Sequence, residues 1–576
     1  KMAKKKVAQI IVETLELFGV KRCYGVVGDT LNDVTNAMRF HTEIEWVHVR
    51  HEEVGGFAAG AESFMTKGLT ACAGSCGPGS LHFINGLYES HRNGAPVVLI
   101  ASQLPTAVLG TNFPQEVDYK PIYEGCSVYC EEVRNPHEAK RVIMTACQEA
   151  LAKRGVAVVI LPSDISATEV EDLPIRQLYQ PKHPLIYPQE SELVKLAKII
   201  NSGGKVGIYA GAGCEGAHET VIALAERLKA PIAHTSRGKD FIEGENPYNV
   251  GMTGMMGIKS GYQMIEECDT LIILGADFAW SQFYPKHAKI VQIDRDPQKL
   301  GLRHGIELGL IGDIEPTLER LLPHLDQRES TEFLDRCRHL YQKTVKKLDK
   351  KAVAASEELI HPQYLTELLS EYAKKDAFAT ADGGSATVWL LRHFETLGTR
   401  RTLVSLKHGT MANAMPQAIG IQKSHPDRQV IALCGDGGMT MLMGDLLTIV
   451  QEKLPVKIVV INNGTLDFVE LEMKADGMVN SYTDLQNPDF ALMADSIGMK
   501  GFSAKGSHEL EETVKAFLEH EGPALLDVHT SRLELIYPPH ATPGNYLNMA
   551  LYGAKAIIGG EGESFFGMLK DNYLRK

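Results

Sequence analysis

The sequence predicts an α/β protein of three doubly wound parallel-sheet units, followed by a short tail that breaks the pattern. Short Val- and Ile-rich runs alternate with helical patterns over most of the chain, and continuous apolar strands separated by helices belong to parallel sheets covered on both faces. A proline-rich stretch from 162 to 188 and a highly charged helical stretch from 326 to 358 divide that alternation into three, as linkers do. At 576 residues the chain is also too long for a single core. The expected boundaries are 1–182, 183–336 and 337–532, with the tail at 533–576.

The first unit opens on "VAQIIVETLELFGV", which reads as an amphipathic helix because Glu13 and Glu16 interrupt any signal-like apolar region. Lys1 ahead of Met2 reads as an added residue. Strands follow at "RCYGVV", "GLTACAG", "PVVLIAS" and "GVAVVIL". Between the first two lies "VRHEEVGGFAAGAE", a helix headed by two glutamates and almost without a polar face. Glycines inside a helix cost stability unless something approaches closely, so this helix is expected to be buried nearly all round, carrying Glu52 or Glu53 inward. A carboxylate that merely complements a helix dipole accounts for the same residues locally.

The central unit has strands at "KVGIYAG", "TLIILGA" and "KIVQID". Gly211, Gly213 and Gly216 form GxGxxG after the first of them, but the next strand, in "APIAHTSRG", ends without the acidic residue of an NAD site. In the third unit a buried strand runs into Gly435-Asp436-Gly437-Gly438, where the following helix presents N–H groups and its positive end to an anion. Asn463 closes the next apolar strand. A carboxylate, an amide oxygen and backbone carbonyls are the hard ligands that Mg²⁺ takes when phosphates complete its octahedron.

Composition narrows the function classes. A net charge of -13 argues against nucleic acid as the main partner. The 10 cysteines lack zinc-knuckle spacing, and reduced thiols in a cytoplasm are expected. No window of 18 apolar residues is present, so no segment is expected to span a membrane.

GDG, 24 residues, then NN resembles the diphosphate-binding motif of thiamine diphosphate enzymes. With "RHEEV", "CAGSCGPG", "INGLYESHRN", "HGTMANAMPQAIG", "MLMGD" and "KLPVKIVVINN", the whole chain is similar to the oxidase and acetohydroxyacid synthase branch. It is most similar to the membrane-associated pyruvate:quinone oxidoreductases. The resemblance implies thiamine diphosphate, Mg²⁺ and FAD, with the metal on Asp436, Asn463 and the Thr465 carbonyl. Gly437, Gly438, Gly464, Leu466, Asp467, Phe468 and Val469 would line the diphosphate end. Glu52 would hydrogen-bond N1′ of the aminopyrimidine and so stabilise the imino tautomer whose N4′ takes the C2 proton. The Gly409 carbonyl would meet N4′, with Thr410 beside it, and Met411 would bend the cofactor.

For the flavin the resemblance implies Gly213, "TGMM" (Thr253, Gly254, Met255, Met256), "ADFAW" (Ala276, Asp277, Phe278, Ala279, Trp280), Asp294 and Asp313. Phe468 and Glu472 match residues that reach toward substrate, and the Trp of the synthases is missing there. The implied reaction is oxidative decarboxylation of pyruvate to acetate and CO2, with electrons passing through FAD to ubiquinone. A phosphate-dependent oxidase, or a synthase-like carboligase with structural FAD, is the alternative. In the family the two ends of thiamine diphosphate bind different subunits, so a dimer at least, and a tetramer by resemblance, is expected. Two departures stand out: Pro114-Gln115-Glu116 replaces Phe-Gln-Glu, with Phe113 one place earlier, and Val27 replaces a threonine.

The tail reads "ESFFGMLKDNYLRK". Phe565, Phe566, Leu569 and Tyr573 share a helical stripe with Met568 beside it, and Glu563, Lys570 and Asp571 lie opposite. Such a segment can lie in a bilayer interface or dock on its own protein. The resemblance, including Lys555-Ala556-Ile557-Ile558 before it, implies release on reduction and binding to a phospholipid surface. The protein would then be cytoplasmic, and peripheral on the inner face of the cell membrane when reduced.

Overall fold

The computed structural model describes residues 4–172, 184–354 and 359–532, and in the tail 534–536, 539, 543–558, 565–566, 568–569 and 572. Three six-stranded sheets are built in sequence order, every strand parallel to its neighbours. In the first unit the order runs Glu45–His48, Arg22–Gly25, Thr70–Gly74, Val97–Gln103, Val156–Pro162, Tyr129–Glu132. In the third it runs Arg401–Val404, Phe378–Ala381, Val430–Gly435, Lys457–Asn462, Ala524–His529, Lys500–Ala504. Numbered along each unit, both are the order 2-1-3-4-6-5. The central sheet differs, with Asn249–Met252, Ile232–His234, Val206–Ala210, Thr270–Leu274, Lys289–Asp294 and Leu308–Ile311 in the order 3-2-1-4-5-6.

The apolar runs of the sequence are interior strands; two further interior strands, Ile232–His234 and Phe378–Ala381, are too short to form such a run. Of the six edge strands, Glu45–His48, Tyr129–Glu132 and Lys500–Ala504 gave none because they are covered less completely, each burying one residue or none. The stretch read as a linker from 162 is partly folded, with a helix Ser163–Ala167 and a strand Glu169–Glu171 paired antiparallel to Lys4–Lys6. Residues 173–183 lie outside the described ones.

One apolar core runs through the first and third units together. Its centre is the helix Glu52–Thr66, which packs on Ile84–Arg92 and on Ala414–Ser424. A Cβ on Gly56 would lie 3.1 Å from the Gly86 Cα, and one on Gly420 would lie 2.0 Å from the Ala58 carbonyl oxygen. The small residues of "VGGFAAGA" are therefore required by two helix crossings. The dipole reading accounts for neither.

In the tail, the helix Pro543–Ile558 lies against Asp467–Ala475. Leu535, Tyr552, Ala556 and Met568 form a cluster flanked by Leu471, Val479, Phe565 and Leu569, and Phe566 stays exposed. Part of the expected stripe is thus docked on the body; Glu563, Lys570, Asp571 and Tyr573 lie outside the described residues. Among the described residues no helix is long and apolar enough to cross a membrane.

Candidate active site

In doubly wound sheets, ligands bind beyond the carboxyl ends of the strands where the strand order reverses. In the third unit that point lies between Phe378–Ala381 and Val430–Gly435, so two loops meet there: Asp382-Gly383-Gly384-Ser385 and Asp436-Gly437-Gly438.

Asp436 is buried at the head of the helix Asp436–Leu442. One carboxylate oxygen accepts the Gly437 N–H at 2.9 Å; the other accepts the Gly464 N–H at 2.7 Å and the Asn487 amide at 2.8 Å. Burial pushes its pKa up against these donors. The Gly464 bond draws the Asn463–Thr465 loop onto Asp436, and the Asn463 side-chain oxygen accepts the Thr465 N–H at 3.1 Å. Thr465 turns its hydroxyl inward to Glu470 at 2.8 Å. Asp436, Asn463 and Thr465 are therefore gathered at one place, with the oxygen donors that Mg²⁺ requires. The chain is open beside them: a Cβ on Gly409 or Gly435 would meet nothing within 4 Å.

Around that space, Gly383 donates its N–H to the Thr410 carbonyl at 3.1 Å and so seats the Gly409–Met411 loop. The Met411 methyl reaches Gly437: a Cβ there would lie 3.3 Å from it and 2.6 Å from Leu466. Asp467 hydrogen-bonds Ser385, and burial raises its pKa to about 6. Phe468 stands beside Gly384, while Val469 and Glu472 are exposed on the helix Asp467–Ala475. Beneath Gly438, Asp382 is buried with one oxygen on the Ala414 N–H and the other without a partner among the described residues; burial raises its pKa to about 7. The loop 382–385 escaped the sequence reading, because Gly-Gly-Ser after a four-residue strand looks like an ordinary turn.

Glu52 begins its helix 8% exposed, with His51 as the cap whose Nδ1 accepts the Glu53 N–H at 3.2 Å. Its carboxylate lies 2.9 Å from His82 Nδ1, and the His51 and His82 rings stack with centroids 4.5 Å apart. From the third unit, buried Asp445 accepts the Arg50 and His51 N–H groups at 2.8 and 3.1 Å. The residue that turns to the Gly409–Met411 loop of its own chain is Glu53, which accepts from the Asn85 amide at 2.6 Å while that amide also contacts Thr410. Sequence reasoning missed His82, Asp445 and this role of Glu53, since each is defined by a partner distant in the chain.

In the central unit the switch point lies between Val206–Ala210 and Thr270–Leu274. Gly213 donates its N–H to the Gly275 carbonyl at 3.0 Å, and a Cβ there would lie 2.7 Å from the Gly275 Cα. These glycines thus let two loops approach, and the Gly213 donor is already engaged. The Thr253 hydroxyl is buried without a partner among the described residues, Gly254 lies under the Phe278 ring, and Met255 and Trp280 are each 41% exposed. Met256 and Ala276 flank them, and Ala279 continues the loop. Asp277 is paired with Arg303 at 2.9 Å, Asp294 accepts the Asp296 N–H, and Asp313 accepts the Ile186 N–H. The last two thus have structural partners of their own. Gln115 lies on the Gly77 loop, its side-chain oxygen 3.3 Å from Cys76 Sγ, and Phe113 is 46% exposed.

Three family descriptions match in the order of the three sheets. They are the thiamine pyrophosphate enzyme N-terminal TPP binding domain over residues 5–122, the central domain over 193–321 and the C-terminal TPP binding domain over 382–528. This chain belongs to the thiamine pyrophosphate enzyme family. Among its relatives, the putative thiamine pyrophosphate-containing protein YdaP of Bacillus subtilis is 34% identical over 528 residues, 92% of each chain. Pyruvate oxidase of Lactiplantibacillus plantarum is 29% identical over 90% of this chain and 87% of its own. The acetolactate synthase isozyme 2 large subunit of Escherichia coli is 28% identical over 92% of this chain and 96% of its own. The outer units are thus thiamine diphosphate-binding domains.

Proposed function

We propose that this enzyme oxidatively decarboxylates pyruvate to acetate and CO2 on Mg²⁺-thiamine diphosphate and passes the electrons through FAD to ubiquinone. The central unit's surface supports the flavin, since the Thr253 hydroxyl, without a partner among the described residues, and exposed Met255 and Trp280 offer it a seat; what favours an oxidase over a carboligase is the stretch after Asn463, which lacks the Trp of the synthases. The bound groups supply a nucleophilic carbon with an electron sink, and an acceptor for two electrons.

The chain's own residues do the rest. Asp436, Asn463 and the Thr465 carbonyl hold the metal. Met411 shapes the pocket against Gly437. Glu52 holds a proton at its carboxylate, and His82 at 2.9 Å orients that carboxylate and can take the proton on. Phe468 and Glu472 are one helical turn apart on the same face, where they can meet the keto acid. By the family resemblance the two ends of the cofactor bind different subunits, so the pyrimidine seat takes Glu52 from a second copy. The working form is therefore a homo-oligomer, a tetramer by analogy with the family.

The tail is the membrane contact. In the docked state Phe565, Met568 and Leu569 pack around Tyr552 and Leu471, on the helix that carries Phe468 and Glu472. Reduction by pyruvate releases it, its apolar stripe binds the phospholipid of the inner leaflet, and a cytoplasmic enzyme becomes peripheral where ubiquinone is dissolved.

Incubation with pyruvate and an artificial electron acceptor tests the reaction. Flavin bleaching with acetate release supports it, whereas acetolactate without flavin reduction replaces it with a carboligase. Acetyl phosphate as product, formed only with added phosphate, would make it a phosphate-dependent oxidase. Liposome flotation with and without pyruvate, on the full chain and on one stopped at Tyr552, tests the tail: both forms staying in the aqueous layer under reducing conditions refutes it.

A further inference from the structure

The helix Ser385–His393 spans two places that the sequence treats as unrelated. Its first residue lies at the diphosphate end, where Ser385 hydrogen-bonds Asp467. At its other end the Arg392 guanidinium crosses to the central unit, with Nε 2.9 Å from the Met256 carbonyl and Nη2 3.1 Å from that of Gly257. Two parallel donors from one planar fork fix direction as well as distance. The helix between is buried at every position from Ser385 to Leu391 and at His393, so it moves only with the third sheet.

The loop that Arg392 holds has three main-chain ties within the central unit. The Thr253 N–H reaches the His234 carbonyl at 3.1 Å, the Gly257 N–H the Gly254 carbonyl at 2.9 Å, and the Ile258 N–H the Met252 carbonyl at 2.9 Å, which leaves Gly254 to Met256 held only through their ends. Gly254 has φ +105° and sits under Phe278, where a Cβ would lie 2.5 Å from the ring. A main chain in that conformation has neighbouring conformations close in energy unless something outside restrains it. A restraint from outside is Arg392, whose pKa burial lowers to about 10, still high enough for the guanidinium to be charged at neutral pH.

We propose that Arg392 is a positioning residue that locks the Thr253–Gly257 loop, and with it the flavin seat, onto the diphosphate-binding unit. The proposal rests on the flavin reading of the central unit. It ties the main chain of the flavin seat to a helix that begins at the diphosphate end.

The test uses the full chain, freed of flavin by dialysis, as wild type, Arg392→Met and Arg392→Lys. FAD affinity is read from quenching of flavin emission, Mg²⁺-thiamine diphosphate affinity by calorimetry, and loop order by amide exchange at Met255–Ile258. Arg392→Met is expected to weaken FAD at least about tenfold, to leave thiamine diphosphate within about twofold, and to speed exchange in the loop. Arg392→Lys, which keeps the charge but not the fork, should fall between, and it carries the same test should the Met variant not fold. Unchanged loop exchange, or FAD affinity equal to wild type, overturns the proposal. A wild-type chain that takes no FAD overturns the flavin reading instead, and exchange alone then decides the lock.

Discussion

Replacing Gly420 by alanine should destabilise the protein even though alanine is the better helix former. The gain in helix propensity is about 1 kcal/mol. Against it, the new methyl would lie 2.0, 2.7 and 2.9 Å from the O, C and Cα of Ala58, all main-chain atoms that no rotamer change can move. A carbon–oxygen contact of this kind settles near 3.3–3.6 Å, so the helices Glu52–Thr66 and Ala414–Ser424 must part by roughly 1.3–1.6 Å. Overpacking of a filled core costs about 1–3 kcal/mol, and the upper end applies where backbone meets backbone. The net loss of about 1–2 kcal/mol corresponds to a melting transition lower by about 2–8 °C for a cooperative unit of about 150–250 residues. Gly305→Ala, whose Cβ would meet nothing within 4 Å, is the control. Scanning fluorimetry of the three proteins decides the matter: Gly420→Ala melting at or above wild type would mean that the two units do not cross as described.

The other expected outcomes concern chemistry and pH. Glu52→Gln should retain the fold and Mg²⁺-thiamine diphosphate while losing at least about 10² in turnover, the scale of a lost acid–base group; wild-type turnover would exclude Glu52 as the proton carrier. Asp436→Ala should abolish calorimetric binding of Mg²⁺-thiamine diphosphate, and an unchanged titration would refute the metal assignment. Asp240 is buried where the central unit meets the Thr402 N–H and hydroxyl, at 2.7 and 2.8 Å, and burial raises its pKa to about 6. Its folded pKa lies above the unfolded value near 3.9, so the stability it contributes is present in acid and lost as pH rises through about 6. Wild type should therefore lose melting temperature relative to Asp240→Asn between about pH 4 and 6 and hold steady above about 7. A pH-independent difference would show that Asp240 does not titrate in that range.

The sequence disclosed what depends on continuous burial and on ligand chemistry. "VIALCG" and "KIVVIN" are interior strands that must be apolar on both faces, and Asp436 and Asn463 are hard oxygen donors at strand ends. Edge strands such as Tyr129–Glu132 stayed hidden because partial exposure permits polar residues. Asp382–Ser385 stayed hidden because its meaning comes from sheet order: only when Phe378–Ala381 lies beside Val430–Gly435 does that loop face the diphosphate space. Gly213 shows the reverse case, a motif visible in the sequence whose N–H the neighbouring Gly275 carbonyl takes up.

The hold of Asp445 on the backbone of Arg50 and His51 joins groups 395 residues apart in the sequence. On a ribosome adding roughly 5–20 residues per second, the anchor for the segment before Glu52 is made roughly 20–80 s after that segment. Through that interval the first unit can fold its own sheet and bring Glu52 to His82, while the backbone of Arg50 and His51 lacks its anchor. The head of this helix is thus completed only by residues made after Asp436.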